Sequence, residues 1–299
     1  MNRRIDLPSV SVVIPTRDRP ELLQRTLESL LGIIYPSELV EVIVSDNSPQ
    51  KAAQEVVKSF ASVAPFRVLY LGEPEAGANR NRNRALREVT GDLVWLFDDD
   101  RLARSNVLET LVAALVEDAD LDAVAGGART MRDGESWRGM CAECLDSFKS
   151  NLYPAPDAKS HMRALEAGNT LVRVGAFADH GVFEPKLSGP GDESEWFIRA
   201  GRGGAKFALI QGAWVWHLVT PGQAQFGSLM RYERLRRRNF LTARKLGTVD
   251  NLERSGTRQS LRFLGHGIRR RCNLGIARGL GGLMIEGAAL LRPPRRGQR

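Results

Sequence analysis

Apolar residues in the first hundred positions come in short, unbroken runs rather than in alternation. Val10 to Thr16 is β-branched and continuous, as in a strand buried on both faces, with Pro15 at its end. Leu22, Leu23, Leu27, Leu30 and Leu31 then recur at helical spacing behind Pro20, which a helix tolerates in its first turn. Val40 to Ser45 predicts a second strand. A helix from about Gln50 leads to a third at Phe66 to Leu71, and Gly91 leads to a fourth at Asp92 to Phe97. Ser105 is a candidate N-cap for a helix carrying Val107, Leu108, Leu111, Val112 and Leu115 on one side. The period is lost from about Thr130 to Arg163 and resumes near Ala167. A helical stretch from Asp192 to Gly201 precedes the apolar run Phe207 to Val219. Two helices close the chain, Ser228 to Leu246 and roughly Arg258 to Leu291.

Strands alternating with helices predict an α/β fold, a doubly wound, mostly parallel sheet with flanking helices. Such sheets bind ligands beyond the carboxyl ends of their strands. Three strand ends here carry clustered polar residues: Thr16-Arg17-Asp18-Arg19, Asp46-Asn47-Ser48 and Asp98-Asp99-Asp100. Three unrelated solvated loops explain that coincidence poorly.

Each cluster admits a chemical and a plain structural reading. Three adjacent carboxylates repel one another unless a cation compensates them, and hard divalent ions prefer oxygen ligands shared with phosphate. A turn with a helix-capping Asp is the alternative. Arg80 and Arg84 share a helix face, leaving Arg82 turned away, toward the strand ends or toward solvent. Asp192 and Glu193 follow a Gly/Pro loop, either as a general base on that loop or as helix-capping acids. His217 ends an apolar run, as a packed side chain or, with the carboxylates, a ligand.

Charge changes the picture by its distribution. The chain carries 43 basic and 35 acidic residues, a net of +8. From Pro221 onward 18 basic residues face 4 acidic ones, a net of +14, which leaves the preceding part at −6. Arg236-Arg237-Arg238 and Arg269-Arg270-Arg271 make the tail a candidate patch for an anionic membrane surface. Its few aromatics and lack of a recognised motif argue against nucleic acid as partner. Three cysteines give no disulfide framework and suit a reducing compartment, and the lone pair Cys141 and Cys144 reads as ordinary thiols rather than zinc ligands. No run of 18 uncharged apolar residues predicts a membrane span, and Val10 to Ile14 is too short for a signal peptide.

Read in order, Pro15-Thr-Arg-Asp-Arg19, Val44-Ser-Asp-Asn-Ser48, Ala78 through Leu86 with Arg82, and Phe97-Asp-Asp-Asp100 resemble the motifs of family 2 glycosyltransferases of the GT-A fold. Ala167 to Arg173, Gly191 to Arg199 and Val215-Trp-His217 continue the similarity, which spans about Val10 to His217. The resemblance implies residues 1–220 as a nucleotide-sugar-binding catalytic domain, with 130–165 on the acceptor side, and 221–299 as a basic helical tail. It implies an inverting transfer from a nucleotide-diphospho-sugar to a hydroxyl of a glycan, glycolipid or secondary-metabolite acceptor, with Mn or Mg as cofactor. Pro15, Thr16, Arg17, Asp46, Arg82, Asp98 and Asp99 would bind the nucleotide-sugar. Asp100, Asp98 and His217 would hold the metal. Glu193 or Asp192 would be the catalytic base, with Glu193 favoured. The expected location is cytoplasmic, peripheral at the inner membrane face. A nucleotidyltransferase is the competing enzyme, but Pro15 to Pro20 is not its Gly-rich phosphate loop; binding of nucleic acid through the tail is the competing non-enzymatic reading.

Overall fold

The computed structural model describes residues 7–132, 165, 167–248 and 257–290. Cys141, Cys144 and nearly all of the expected acceptor-side segment lie outside them. The four N-terminal strands form as expected: β1 (Val10–Thr16), β2 (Val40–Asp46), β3 (Arg67–Gly72) and β4 (Leu93–Phe97). Helices α1 (Pro20–Leu30), α2 (Gln54–Ala61) and α3 (Ala78–Leu86) connect them. After β4 come β5 (Arg101–Leu102), α4 (Val107–Glu117), β6 (Ala123–Arg132), β7 (Asn169–Arg173), α5 (Val174–His180), α6 (Ser194–Arg202) and β8 (Phe207–Val219). One eight-stranded sheet results, in the order β3-β2-β1-β4-β7-β6-β8-β5. The pairs β1–β2, β1–β4, β2–β3 and β6–β8 are parallel; β4–β7, β6–β7 and β5–β8 are antiparallel.

The continuous apolar runs are explained by burial on both faces. Val10, Val12, Ile14, Leu93, Trp95 and Phe97 pack against α1 and α4, while Val13, Val94 and Leu96 face Phe177, Trp196 and Phe197 of α5 and α6. Trp196 sits among Phe177, Phe183 and Phe197 with ring centroids 4.8–5.6 Å away.

Pro15 is placed where the sheet opens. β1 pairs with β2 through Thr16↔Asp46, but its pairing with β4 stops at Val13↔Leu96. A proline can occupy that stretch because the lost N–H has no ladder partner on the β4 side. The strands separate there, at the point where strand order reverses, and leave a crevice.

Three expectations are corrected. Asn106, not Ser105, stands at the start of α4, and its side chain makes no cap bond. The second helix begins at Gln54, after a turn, rather than near Gln50. The last long helix is two, α8 (Thr257–Arg269) and α9 (Asn273–Leu290), because the chain reverses at Arg271, whose φ is 50°. α8 and α9 pack on each other closely enough that a Cβ at Gly279 would lie 2.6 Å from Leu264 Cβ. The preceding helix α7 (Phe226–Lys245) packs against α9, with Glu233 buried and paired to Arg236 at 2.8 Å.

Candidate active site

A cavity of about 420 Å³ occupies the crevice, lined by residues from every strand end singled out above. β1 supplies Pro15, Thr16, Arg17 and Arg19. The end of β4 supplies Asp98, Asp99 and Asp100, α3 supplies Asn81 and Arg82, and β8 supplies His217. The loop 188–193 closes one side, and Gln223 and Tyr232 of the tail reach in as well.

The acidic triplet is divided among different partners. Asp99 is buried, accepts a hydrogen bond from Thr16 Oγ1 at 2.7 Å, and pairs with Arg19 at 2.8 Å. Burial pushes its carboxyl up to about 7, with Asp100 and Asp98 adding to the rise and Arg19 and the Thr16 bond opposing it. Burial also acts to raise Asp100, but His217, Arg101 and Arg19 hold it well below the usual carboxylate range. Asp100 Oδ1 lies 3.4 Å from His217 Nε2 and 3.6 Å from Arg101 Nε. Strand β5 makes this meeting, since Arg101 is the register partner of His217 and the Asp100 carbonyl accepts from the Leu218 N–H. Asp98 is the most exposed of the three, with 29% of its side chain accessible.

This donor set fits a hard divalent cation. Asp100 Oδ1 is buried beside His217 and Arg101, whose nitrogens at 3.4 and 3.6 Å compensate its charge. Carboxylate oxygens beside an imidazole suit Mn²⁺ or Mg²⁺. Among the described residues no group of three or more His, Cys, Asp or Glu is arranged to hold a metal ion by itself. A cation here would share its coordination with a ligand, as phosphate-bound Mg²⁺ does.

Arg82 joins the two sides of the cavity. Its guanidinium is 3.0 Å from Asp192 Oδ1 and 3.4 Å from Asp98 Oδ1, and it donates to Asn79 Oδ1 at 2.9 Å. Burial disfavours its charge, but Asp192, Asp98 and Glu193 outweigh that and raise its pKa. The helix-face reasoning for Arg82 is thus met: Arg80 pairs outward with Glu75 and Arg84 with Glu88.

Asp192 is committed to structure as well. It is buried, and its second oxygen accepts from the Gly189 N–H at 2.9 Å. Glu193 lines the cavity beside it, half-buried, at the entry to α6.

The remaining expected residues occupy varied positions. Arg17 lines the cavity but pairs with its neighbour Asp18 at 3.2 Å. Asp46 is 1% exposed; Ser48, Ala53 and Tyr70 donate to its oxygens. Asn47 reaches the cavity in its place. The sequence pattern does not single out Arg19 and Arg101, whose ion pairs span the carboxylates; Arg19 sits in the motif quoted with Arg17, and Arg101 directly follows Asp100. Nor does the pattern single out Asn79, which donates to the Asp192 carbonyl at 3.0 Å. Tyr232 and Gln223 carried no motif signal.

Comparison with known proteins agrees with this geometry. The chain is 26% identical to glycosyltransferase AglE of Haloferax volcanii over 226 residues, 75% of this chain and 70% of that protein. It is 26% identical to the succinoglycan biosynthesis protein ExoM of Rhizobium meliloti over 287 residues, 95% and 85% of the two chains. Among solved structures it resembles the mannosyltransferase PcManGT of Pyrobaculum calidifontis, with a TM-score of 0.64, 19% identity, and coverage of 97% and 82%. The fold is that of the GT-A glycosyltransferases. The sequence profile described as Glycosyl transferase family 2 matches residues 11–180, more than half of the chain, and this chain therefore belongs to glycosyltransferase family 2.

Proposed function

We propose that this glycosyltransferase transfers a sugar with inversion from a nucleotide-diphospho-sugar to an acceptor hydroxyl, with Glu193 as general base. The observation that carries the reading is the pairing of opposite chemistries across one cavity. Asp98, Asp100 and His217 line the cavity together with the Asp192–Glu193 loop, and Arg82 links the two groups by pairing with Asp98 and Asp192. A mannosyltransferase of similar fold was solved with GDP-Man and Mn²⁺, which supports a donor of this class.

Asp98, Asp100 and His217 would hold Mn²⁺ or Mg²⁺. Such an ion, when bound, neutralises the charge of a departing diphosphate. The chain's own residues do the rest. Thr16 and Arg19 fix Asp99, and Arg82 bridges Asp98 and Asp192. Asp192, engaged by Arg82 and the Gly189 N–H, anchors the loop, and the less buried Glu193 carboxylate lining the cavity takes the proton of the acceptor hydroxyl as its oxygen attacks. The reaction so read is a single in-line displacement, without a covalent sugar–enzyme intermediate.

The acceptor class we assign is a glycan or lipid-linked glycan, approached from an anionic membrane face on the cytoplasmic side. Leu261 and Ile268, two turns apart on α8, are 52% and 62% exposed, and Arg262, Arg269, Arg270 and Arg271 flank them in solvent. That combination suits a helix lying in a lipid interface. No helix among the described residues is long and apolar enough to cross a membrane.

A panel of UDP- and GDP-sugars, each with MnCl2 or MgCl2, tests the reading. Release of nucleoside diphosphate with transfer to a new anomer of opposite configuration is expected. Retention of configuration, or no turnover with any donor, overturns it.

A further inference from the structure

The chain beyond residue 220 packs against the base loop itself. Loop 188–193 turns through Gly189 at φ 88° and Gly191 at φ 75°, conformations open to glycine but not specified by it alone, since glycine is also the most flexible residue. On one side Asn79 donates to the Asp192 carbonyl. On the other stands Asn239 of α7, 3% exposed. Its Nδ2 lies 3.0 Å from the carbonyl of Ser188, 3.2 Å from that of Gly189 and 3.2 Å from that of Pro190, and its Oδ1 accepts from the Ser188 N–H at 3.4 Å. One amide thus serves three consecutive carbonyls and one N–H, using its donor and acceptor ends together. Tyr232, seven residues earlier and hence on the same side of α7, lines the cavity, and Arg238 also donates to the Ser188 carbonyl, at 3.3 Å.

We propose that Asn239 is a positioning residue of the active site: its amide clamps the Ser188–Pro190 backbone so that Glu193 faces the acceptor side of the cavity. The inference rests on the reading of Glu193 as base. It makes α7 part of the catalytic unit, although α7 lies outside the residues matched by the family profile. Asn239→Asp keeps the size of the side chain but sets a carboxylate oxygen against three carbonyls. Asn239→Ala removes the clamp, and Asn239→Ser retains a single donor.

The test measures hydrolysis of UDP-glucose, UDP-N-acetylglucosamine and GDP-mannose with MnCl2, thermal shift by UDP or GDP with MnCl2, and amide exchange in the peptide 187–193. Asn239→Asp and Asn239→Ala are expected to lower kcat at least tenfold, and Asn239→Ser less. Nucleotide affinity should stay within about twofold of the parent, because the clamp touches no residue of the nucleotide wall. Exchange in 187–193 should rise at least tenfold. Asn239→Asp combined with Glu193→Gln should be no slower than Glu193→Gln alone, since a misplaced base and an absent one cost the same. Unchanged exchange and kcat would overturn the proposal, as would multiplicative losses in the double variant. Failure of both Asn239→Ala and Asn239→Ser to give a cooperative melt would overturn it too, by making Asn239 a requirement of the fold. If the parent protein turns over none of the three donors, the glycosyl-transfer reading fails with that panel, and the exchange measurement still decides on the clamp.

Discussion

Arg82 and Asp192, 110 residues apart in sequence, form a buried ion pair with Nη1 and Oδ1 3.0 Å apart. The pair explains why two neighbouring acids are unequal. Asp192 is 2% exposed and pairs directly with Arg82, whereas Glu193, whose charge also acts on Arg82, lines the cavity half-buried.

Glu193→Gln should therefore lower kcat by about 10²–10⁴ while leaving nucleotide binding near the parent value. Asp192→Ala should act first on the fold, because it strips the buried Arg82 guanidinium of its shorter ion pair and leaves it only the 3.4 Å contact with Asp98, at up to about 3–5 kcal/mol. Steady-state kinetics beside thermal melts separate the two. A fully active Glu193→Gln would reassign the base.

Asp100→Ala should abolish the rise in Tm that UDP or GDP with MnCl2 produces in the parent protein. A ligand at a hundred times its Kd contributes about 2.7 kcal/mol to folding, so the lost shift is readily measured. An unchanged response would remove Asp100 from the metal site.

Glu41, which does not line the cavity, should contribute acid sensitivity separate from that of Asp100. Burial acts to raise its pKa, but bonds from Ser11 Oγ at 2.5 Å and from the Thr90 N–H and Oγ1 at 2.8 Å, with Arg67 at 2.6 Å, leave it lowered. A depressed folded-state pKa gives stability that is complete above the ordinary glutamate value and lost as pH falls through the folded value. Glu41→Gln should cost about 1–3 kcal/mol at neutral pH, mostly through the Ser11 and Thr90 bonds, because Arg67 is half exposed. Chemical denaturation across pH should show this deficit shrinking in acid. A deficit independent of pH would contradict the assignment.

Leu261→Asp with Ile268→Asp should abolish sedimentation with vesicles containing phosphatidylglycerol and leave donor hydrolysis intact, since neither side chain lines the cavity. Parent-like sedimentation of this double variant would exclude α8 as the contact. Truncation after Leu246 is a less discriminating test, because it also strips the packing of α9 from α7, which carries Tyr232 and Asn239.

The chain's strand order along the sequence, its parallel half-sheet and its three polar strand ends were legible in the amino-acid pattern. Strands buried on both faces must be continuously apolar, and the first polar residue after each then marks its carboxyl end. Arg82 was legible for a related reason, since helical periodicity separates it from Arg80 and Arg84. Local pattern carries no information about which distant groups meet. It could not pair Arg19 with Asp99, bring Arg101 beside His217 across β5–β8, or reverse the chain at Arg271. Nor could it carry Asn239 across some 50 residues to the carbonyls of Ser188, Gly189 and Pro190. Each of those contacts depends on where the packed helices and the turned sheet set the backbone. The sequence alone thus determined which strand ends cluster their polar residues, while tertiary packing decided that Asp192 is buried against Arg82, that Glu193 lines the cavity, and that the basic tail forms part of its wall.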